Sequence, residues 1–178
     1  MKKRVIFVPA DNNHLEEFKK FETSLRKFHT EDIVPLLRFD NPTSDPIFWY
    51  RAKPILAREL LKEYETVIGM DSDQIVCGDI STIWNETDYF DVGVVMNDPS
   101  YPIRLWDISG GINALDRYYN NGLVVLRSRE FIEHWYRLCM SRHFNNYQFR
   151  EQDLLNILCS DYFDYKVKWL EEKGFYGE

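Results

Sequence analysis

Two aspartates one residue apart, Asp71-Ser72-Asp73, carry the strongest chemical signal in this sequence. They follow Thr66-Val67-Ile68-Gly69-Met70, an apolar run of strand size. In extended backbone, residues two apart project to the same side. Charge emerging from a buried strand is costly unless something compensates it. A hard divalent cation does so: Mn²⁺ or Mg²⁺ takes one or two carboxylates and completes its shell with water and substrate phosphates. The chemistry expected at Asp71 and Asp73 is therefore a metal ion that stabilises negative charge on a phosphate-bearing ligand. Three other uses of the tripeptide compete. It occurs by chance in surface turns. A calcium loop would continue the alternating ligands and place a glycine after them, and this sequence does neither. A phosphatase-type nucleophile motif wants Thr or Val where Ile75 stands, and it would lie near the first strand.

Positioning two carboxylates requires a scaffold, and the hydrophobic pattern describes one. Lys3 to Pro9 reads as a buried strand, and Asp11-Asn12-Asn13 as a turn that caps a helix. Leu15, Phe18, Phe21, Leu25 and Phe28 recur near helical spacing, predicting an amphipathic helix from His14 to Phe28. Ile33 to Leu37 reads as a strand and Trp49 to Tyr64 as a helix, with Pro54 tolerated in its first turn. Thr66 to Met70, Asp91 to Met96, Gly122 to Arg127 and Tyr165 to Trp169 read as further strands. Helices are expected from Glu130 to Arg142 and within Gln148 to Ser160, and a long loop with one short helix over Asn97 to Asp116. Strands alternating with helices predict a three-layer α/β/α domain with a mainly parallel mixed sheet over residues 1–178. Such sheets bind ligands beyond the carboxyl ends of their strands. Three polar clusters fall there: Asp11-Asn12-Asn13 after Pro9, Asp71-Ser72-Asp73 after Met70, and Asn97-Asp98 after Met96.

Composition narrows the function class. Apolar residues at 44% and charged residues at 29% place the chain among globular proteins rather than disordered ones. A net charge of −7 argues against a nucleic-acid partner, which needs a basic face, but not against a phosphate ligand held through a cation. No apolar run approaches the ~20 residues of a transmembrane helix. The basic start, Met1-Lys2-Lys3-Arg4, precedes too short an apolar run for a signal peptide. The expectation is a cytoplasmic location, or a chain stripped of its targeting part. Cys77, Cys139 and Cys159 are far apart, with no Cys-x-x-Cys pair, and read as free thiols.

Several ordered segments together resemble glycosyltransferase family 8, the glycogenin-like and galactosyltransferase-like retaining enzymes of the GT-A fold. Ile6-Phe7-Val8-Pro9-Ala10-Asp11-Asn12-Asn13 is similar to the family's opening strand and turn. The resemblance implies that Asp11 and Asn13 sit beside the nucleobase and ribose. Tyr50-Arg51-Ala52-Lys53 resembles an Arg-containing helix start, with Arg51 reaching the pyrophosphate or the donor sugar. Asp71-Ser72-Asp73, continued by Gly78-Asp79-Ile80-Ser81 and Trp84, is similar to the family's metal motif and the segment after it. Tyr118-Tyr119-Asn120-Asn121-Gly122 resembles an Asn-Ala-Gly strand, with Asn120 in the Asn position and Asn121 in place of Ala. Taken alone, Asn120-Asn121-Gly122 also fits a hairpin turn. Arg150-Glu151-Gln152-Asp153 resembles an Asp-Gln-Asp segment, with Glu151 in place of the first Asp and Gln152 near the anomeric carbon.

The resemblance implies transfer of a hexose from a UDP-sugar to the hydroxyl of a saccharide or other acceptor, with Mn²⁺ or Mg²⁺ on Asp71 and Asp73. Arg51, Gln152 and Asp98 are then the expected catalytic-site residues, with Asp98 on the acceptor side. The expected donor-binding residues are Asp11, Asn13, Arg51, Asp71, Ser72, Asp73, Asn120 and Asn121. The alternative is a nucleotide-sugar binder without turnover, and a third reading is phosphoryl transfer with Asp71 as nucleophile. The resemblance departs at one place. The family's His-x-x-Gly-x-x-Lys segment, source of a third metal ligand and a phosphate-binding Lys, has no counterpart, since no His follows Asn156. Either the cation site is open on one side, or the sequence lacks the usual C-terminal segment. The donor sugar, the acceptor and the oligomeric state have no signature in the sequence.

Overall fold

The computed structural model describes residues 2–32, 34–43, 45–86, 89–96, 104–106, 112–114 and 117–170. Six strands form the main sheet: β1 (Lys2–Pro9), β2 (Leu36–Phe39), β3 (Tyr64–Met70), β4 (Val92–Met96), β7 (Tyr119–Leu126) and β8 (Val167–Leu170). Their order is β2-β1-β3-β7-β4-β8, with β7 antiparallel to both neighbours and the other pairs parallel. Two short strands, β5 (Arg104–Trp106) and β6 (Ile112–Ala114), pair antiparallel as a separate ribbon.

Helices cover both faces of this sheet, so its central strands are apolar on both sides. Val5, Phe7, Val67, Val92, Val94 and Val124 pack against helices α2 (Ala52–Leu60), α4 (Arg129–Met140) and α5 (Glu151–Leu158) through Ala57, Phe131, Trp135 and Leu155. Ile6, Val8, Ile68, Met70 and Val125 pack against α1 (Leu15–Arg26) and α3 (Ser81–Glu86) through Phe18, Phe21, Leu25, Ile83 and Trp84. The result is the expected three-layer α/β/α arrangement with a mixed, mainly parallel sheet. Cys139 is buried, Cys159 half-buried and Cys77 exposed, all as free thiols.

Two local expectations are corrected, and two elements are added. The second strand begins three residues later than Ile33, at Leu36. The helix expected from Trp49 divides into a 3-10 turn, Pro46–Arg51, and α2, with Asp45 capping the turn at 2.9 Å from the Ile47 amide. Pro54 falls in the first turn of α2, where its missing N–H costs nothing. Helix α3 is too short to show a strong periodicity in the sequence and is an addition to the expected elements. Within Asn97 to Asp116, the described residues form the β5–β6 pair, which the sequence reading did not anticipate. The rest of that segment, Asp98 included, lies outside the described residues.

One irregularity in β7 shapes the ligand-binding end of the sheet. On its β3 side the ladder is regular, with Met70 opposite Leu123 and the Asp71 amide donating to the Gly122 carbonyl at 2.9 Å. On its β4 side the register slips, from Val94 opposite Val124 to Val95 opposite Asn120. Residues Asn121, Gly122 and Leu123 therefore bulge out of the β4–β7 ladder, and such bulges re-aim side chains and backbone groups. Asn120-Asn121-Gly122 is thus part of a strand and not a hairpin turn.

Candidate functional site

A cleft of about 490 Å³ opens at the carboxyl ends of β1 and β3. Asp71, Ser72 and Asp73 line it, with Lys53 from the first turn of α2, Asn121 from the bulge of β7, and Glu151 and Gln152 from the start of α5. Trp49, Tyr50 and His14 form further walls.

The segment carrying the two aspartates is held from behind. The Val76 amide donates to Ser24 Oγ at 2.9 Å, and Ser24 Oγ donates to the Phe21 carbonyl at 2.7 Å. The Ile80 amide donates to Nε2 of buried His29 at 3.0 Å. Helix α1 and its C-terminal end therefore clamp the chain that follows β3, although nothing in the motif itself calls for them.

Lys53 is the dominant cation of the cleft. Its side chain is only 7% exposed, and its Nζ stands 2.7 Å from Asp71 Oδ1. The same ammonium donates to the Asn121 carbonyl, which the bulge in β7 turns toward it. A buried ammonium needs such partners, since burial without them is costly. Asp71 Oδ2 lies near Gly122, where a Cβ atom would come within 2.7 Å of Asn120 Oδ1 and 2.9 Å of Gln74 Nε2. A larger residue at Gly122 would make the amide ends of Asn120 and Gln74 shift. Asp73 is exposed and makes no ion pair among the described residues.

Glu151 adds a second carboxylate to the interior of the cleft. Burial pushes its carboxyl up to about 7, with Asp71 working in the same direction and Lys53 and Asn121 against it. Its Oε2 is shielded from solvent and lacks a hydrogen-bond partner, as does Asn121 Oδ1. Buried polar atoms are nearly always paired in proteins, so unpaired ones facing a cleft mark capacity for a ligand.

Gln152 is committed on both ends. Its Oε1 accepts from the Asn121 amide at 2.9 Å and its Nε2 donates to the Tyr118 hydroxyl at 3.2 Å. Tyr118 donates in turn to Asp153 Oδ1 at 2.6 Å, and Asp153 Oδ2 accepts from the Phe149 amide at 2.8 Å. Burial raises the Asp153 carboxyl and the Tyr118 phenol above their ordinary values.

The other expected site residues lie as follows. Asp11 caps the 3-10 turn Asn12–His14, accepting from the Asn13 and His14 amides at 2.8 and 3.1 Å. His14 Nδ1 stands 2.7 Å from the same carboxylate. Asn13 is exposed, with its Nδ2 3.3 Å from Asp11 Oδ2. Asn120 turns its Oδ1 back to the Gly122 amide at 2.5 Å. Arg51 lays its guanidinium over the Phe144 ring at 4.4 Å, outside the cleft lining, with a shielded and unpaired Nε. The structure thus brings together Asp71, Ser72, Asp73, Asn121 and Gln152, and sets Arg51 and Asn120 behind them. Lys53 and Glu151 are the buried charged residues of the cleft that sequence reasoning did not select, and the walls Trp49, Tyr50 and His14 were not selected either.

No family model matches the sequence, and no curated protein sequence matches it. Solved structures do. The bifunctional glycosyltransferase WbbM superposes with a TM-score of 0.72 at 14% identity, over 97% of this chain and 39% of that one. The fold is GT-A-like. The glycosyltransferase GlyE of Streptococcus pneumoniae TIGR4 gives 0.62 at 14% identity, over 97% of this chain and 46% of its own. A glycosyltransferase involved in the glycosylation of the major capsid of PBCV-1 gives 0.67 at 11% identity, over 96% and 82%. The chain spans less than half the length of GlyE and WbbM. At these identities the likeness establishes the fold.

Proposed function

We propose that this chain is a metal-dependent glycosyltransferase that moves a hexose from a UDP-sugar to the hydroxyl of a saccharide or other acceptor, with retention at the anomeric carbon. One observation carries the reading. Asp71, Ser72 and Asp73 line one cleft with Lys53, Asn121, Glu151 and Gln152, at the end of the sheet where α/β folds bind their ligands.

The donor set fits a hard cation. Asp71 Oδ2 and the exposed Asp73 carboxylate remain after Lys53 has taken Asp71 Oδ1, and two carboxylates with substrate phosphate oxygens suit Mn²⁺ or Mg²⁺. When bound there, the ion supplies positive charge against a diphosphate leaving group. Lys53 brings a second positive charge to the same wall, fixed in advance by Asp71 and the Asn121 carbonyl. A charge that needs no rearrangement stabilises a developing anion more than a mobile one does. In this reading Lys53 takes the phosphate-side role that the resemblance gives to Arg51. Gln152 and Asn121 hold the sugar-side wall, and their mutual hydrogen bond keeps it rigid. Asp11 and Asn13 flank the nucleoside in this reading.

The test is UDP release from UDP-sugars in the presence of Mn²⁺. The expected outcome is release that falls about 100-fold or more in Asp73→Asn, a loss typical of removing one charge-stabilising group. UDP binding by calorimetry without turnover would instead make the chain a nucleotide-sugar binder. Phosphate release from a generic phosphomonoester, indifferent to UDP, would overturn both readings.

A further inference from the structure

Behind the sugar-side wall of the cleft runs a chain of hydrogen bonds between buried side chains. Asp153, 2% exposed, receives two hydrogens, one from the Phe149 amide at 2.8 Å and one from the Tyr118 hydroxyl at 2.6 Å. A carboxylate accepts and does not donate, so the Tyr118 hydrogen lies on the Asp153 side. The Tyr118 oxygen is then left as an acceptor, and the group 3.2 Å from it must be a donor. In Gln152 that group is Nε2. At its other end Gln152 meets the Asn121 amide at 2.9 Å, a donor that demands Oε1. Reversing the side-chain amide would set N–H against N–H at Asn121, and oxygen against oxygen at Tyr118. Amide oxygen and nitrogen are told apart by such networks, and this one admits a single orientation.

Gln152 lines the cleft, whereas Tyr118 and Asp153 do not. Whatever these two do for a ligand, they do through Gln152. Its carbonyl is spent on a backbone amide and one Nε2 hydrogen is spent on Tyr118, so the hydrogen it retains is the second on Nε2. Its neighbours on that wall offer the opposite polarity. Glu151 Oε2 and Asn121 Oδ1 are shielded acceptors without partners, and Asp71 is a carboxylate. Gln152 thus adds a donor to a wall of acceptors. Burial and Asp153 hold the Tyr118 phenol well above its ordinary value, so Tyr118 keeps a hydrogen to give and the order of the chain persists.

We infer that Tyr118 is a positioning residue, which with Asp153 sets the Gln152 amide so that its N–H, and not its carbonyl, meets an oxygen of the bound sugar. The identity of that ligand rests on the glycosyltransferase reading, while the orientation of the amide belongs to the free chain. A donor fixed before the ligand arrives needs no rearrangement as charge develops on the oxygen it faces. The same chain of bonds reaches the phosphate side. Gln152 holds the Asn121 amide, and the carbonyl of that residue receives Lys53.

Two measurements on the full chain test this, one of them without turnover. By NMR of the ¹⁵N-labelled free protein, an Overhauser contact is expected from a Gln152 Nε2 hydrogen to the Tyr118 ring, and both Nε2 hydrogens should exchange faster with water in Tyr118→Phe. Nε2 hydrogens that instead lie against the Asn121 amide, or exchange unchanged in Tyr118→Phe, would overturn the proposal whether or not the chain transfers sugar. The second measurement is UDP release from UDP-glucose and UDP-galactose with Mn²⁺. Tyr118→Phe keeps the ring and is expected to lower kcat about tenfold, the scale of one hydrogen bond, with UDP affinity by calorimetry unchanged. A matching loss of UDP affinity would make Tyr118 merely structural. Gln152→Glu keeps the shape and removes the hydrogens. It is expected to lower release about 100-fold near neutral pH, and to recover relative to the wild type as pH falls and the new carboxyl takes up a proton. Wild-type rates in Gln152→Glu at neutral pH would make the side chain an acceptor and overturn the proposal. If the wild type binds UDP-glucose without releasing UDP, the transferase reading fails, and the same Gln152→Glu loss is then expected in affinity for UDP-glucose relative to UDP; an unchanged ratio would overturn the donor role.

Discussion

At the residue scale the cleft turns on a pairing of opposite needs. Lys53 is buried and pairs with Asp71 at 2.7 Å, while Glu151, beside them, is pushed by burial toward its neutral form. The consequence is a specific pH dependence. Glu151 has an ordinary value of 4.5 and a folded value of about 7, so the folded chain binds the proton more tightly than the unfolded chain. The stability from this group is complete below 4.5 and is lost as pH rises from there through about 7. Glu151→Gln, which stays neutral, is expected to unfold at a higher temperature than the wild type above pH 7, with the difference vanishing toward pH 4.5. Thermal unfolding monitored by circular dichroism in metal-free buffer checks this. A constant difference across the range would show that Glu151 is ionised in the folded chain.

At the element scale the site depends on how α5 is sewn to β7. The seam is polar inside an apolar layer. Asn156, 1% exposed, accepts from the Tyr119 amide at 2.6 Å and donates to the Tyr119 carbonyl at 2.9 Å, where β7 has run past its pairing with β3 but still faces Met96 of β4. Gln152 and Asp153 continue the seam toward the cleft. Arg150, just before α5, has φ 48, a left-handed conformation that a non-glycine residue rarely adopts, and its guanidinium stacks 3.9 Å from the Tyr50 ring. Asn156→Ala would leave both polar groups of Tyr119 buried without partners. The expected loss is about 2–6 kcal/mol of unfolding free energy, from two such groups at roughly 1–3 kcal/mol each. Urea denaturation measures it. A loss under about half a kcal/mol would mean that the seam is redundant.

At the scale of the whole molecule, one sheet separates two apolar layers and binds both to the cleft. The α2–α4–α5 side delivers Lys53, Glu151 and Gln152, and the α1–α3 side clamps the chain after Asp73. His29 belongs to that clamp. Burial lowers its pKa from the ordinary 6.5, although Asp79 pulls upward, and its Nε2 must be unprotonated to accept the Ile80 amide. The unfolded chain therefore takes up the proton first, and this contribution to stability is present above 6.5 and declines as pH falls. His29→Gln keeps an acceptor but does not titrate. It is expected to lose less stability than the wild type between 6.5 and mildly acid pH. Parallel losses in urea denaturation would remove His29 from the acid response.

What the sequence determined by itself was the layer order and the place of Asp71-Ser72-Asp73 at the sheet end. The apolar runs Val5–Val8, Val67–Met70 and Leu123–Leu126 have no polar side, so only strands covered on both faces bury them. Once those strands exist, Asp71 and Asp73 must emerge at a sheet end, because two charges cannot stay inside. Two further features were decided only by tertiary structure. Lys53 reads as any surface lysine until α2 packs its first turn against the bulge in β7. Gln152 reads as a free amide until Asn121 and Tyr118 take both its ends. In each case the deciding energy comes from a contact between distant segments, and local spacing carries no record of it.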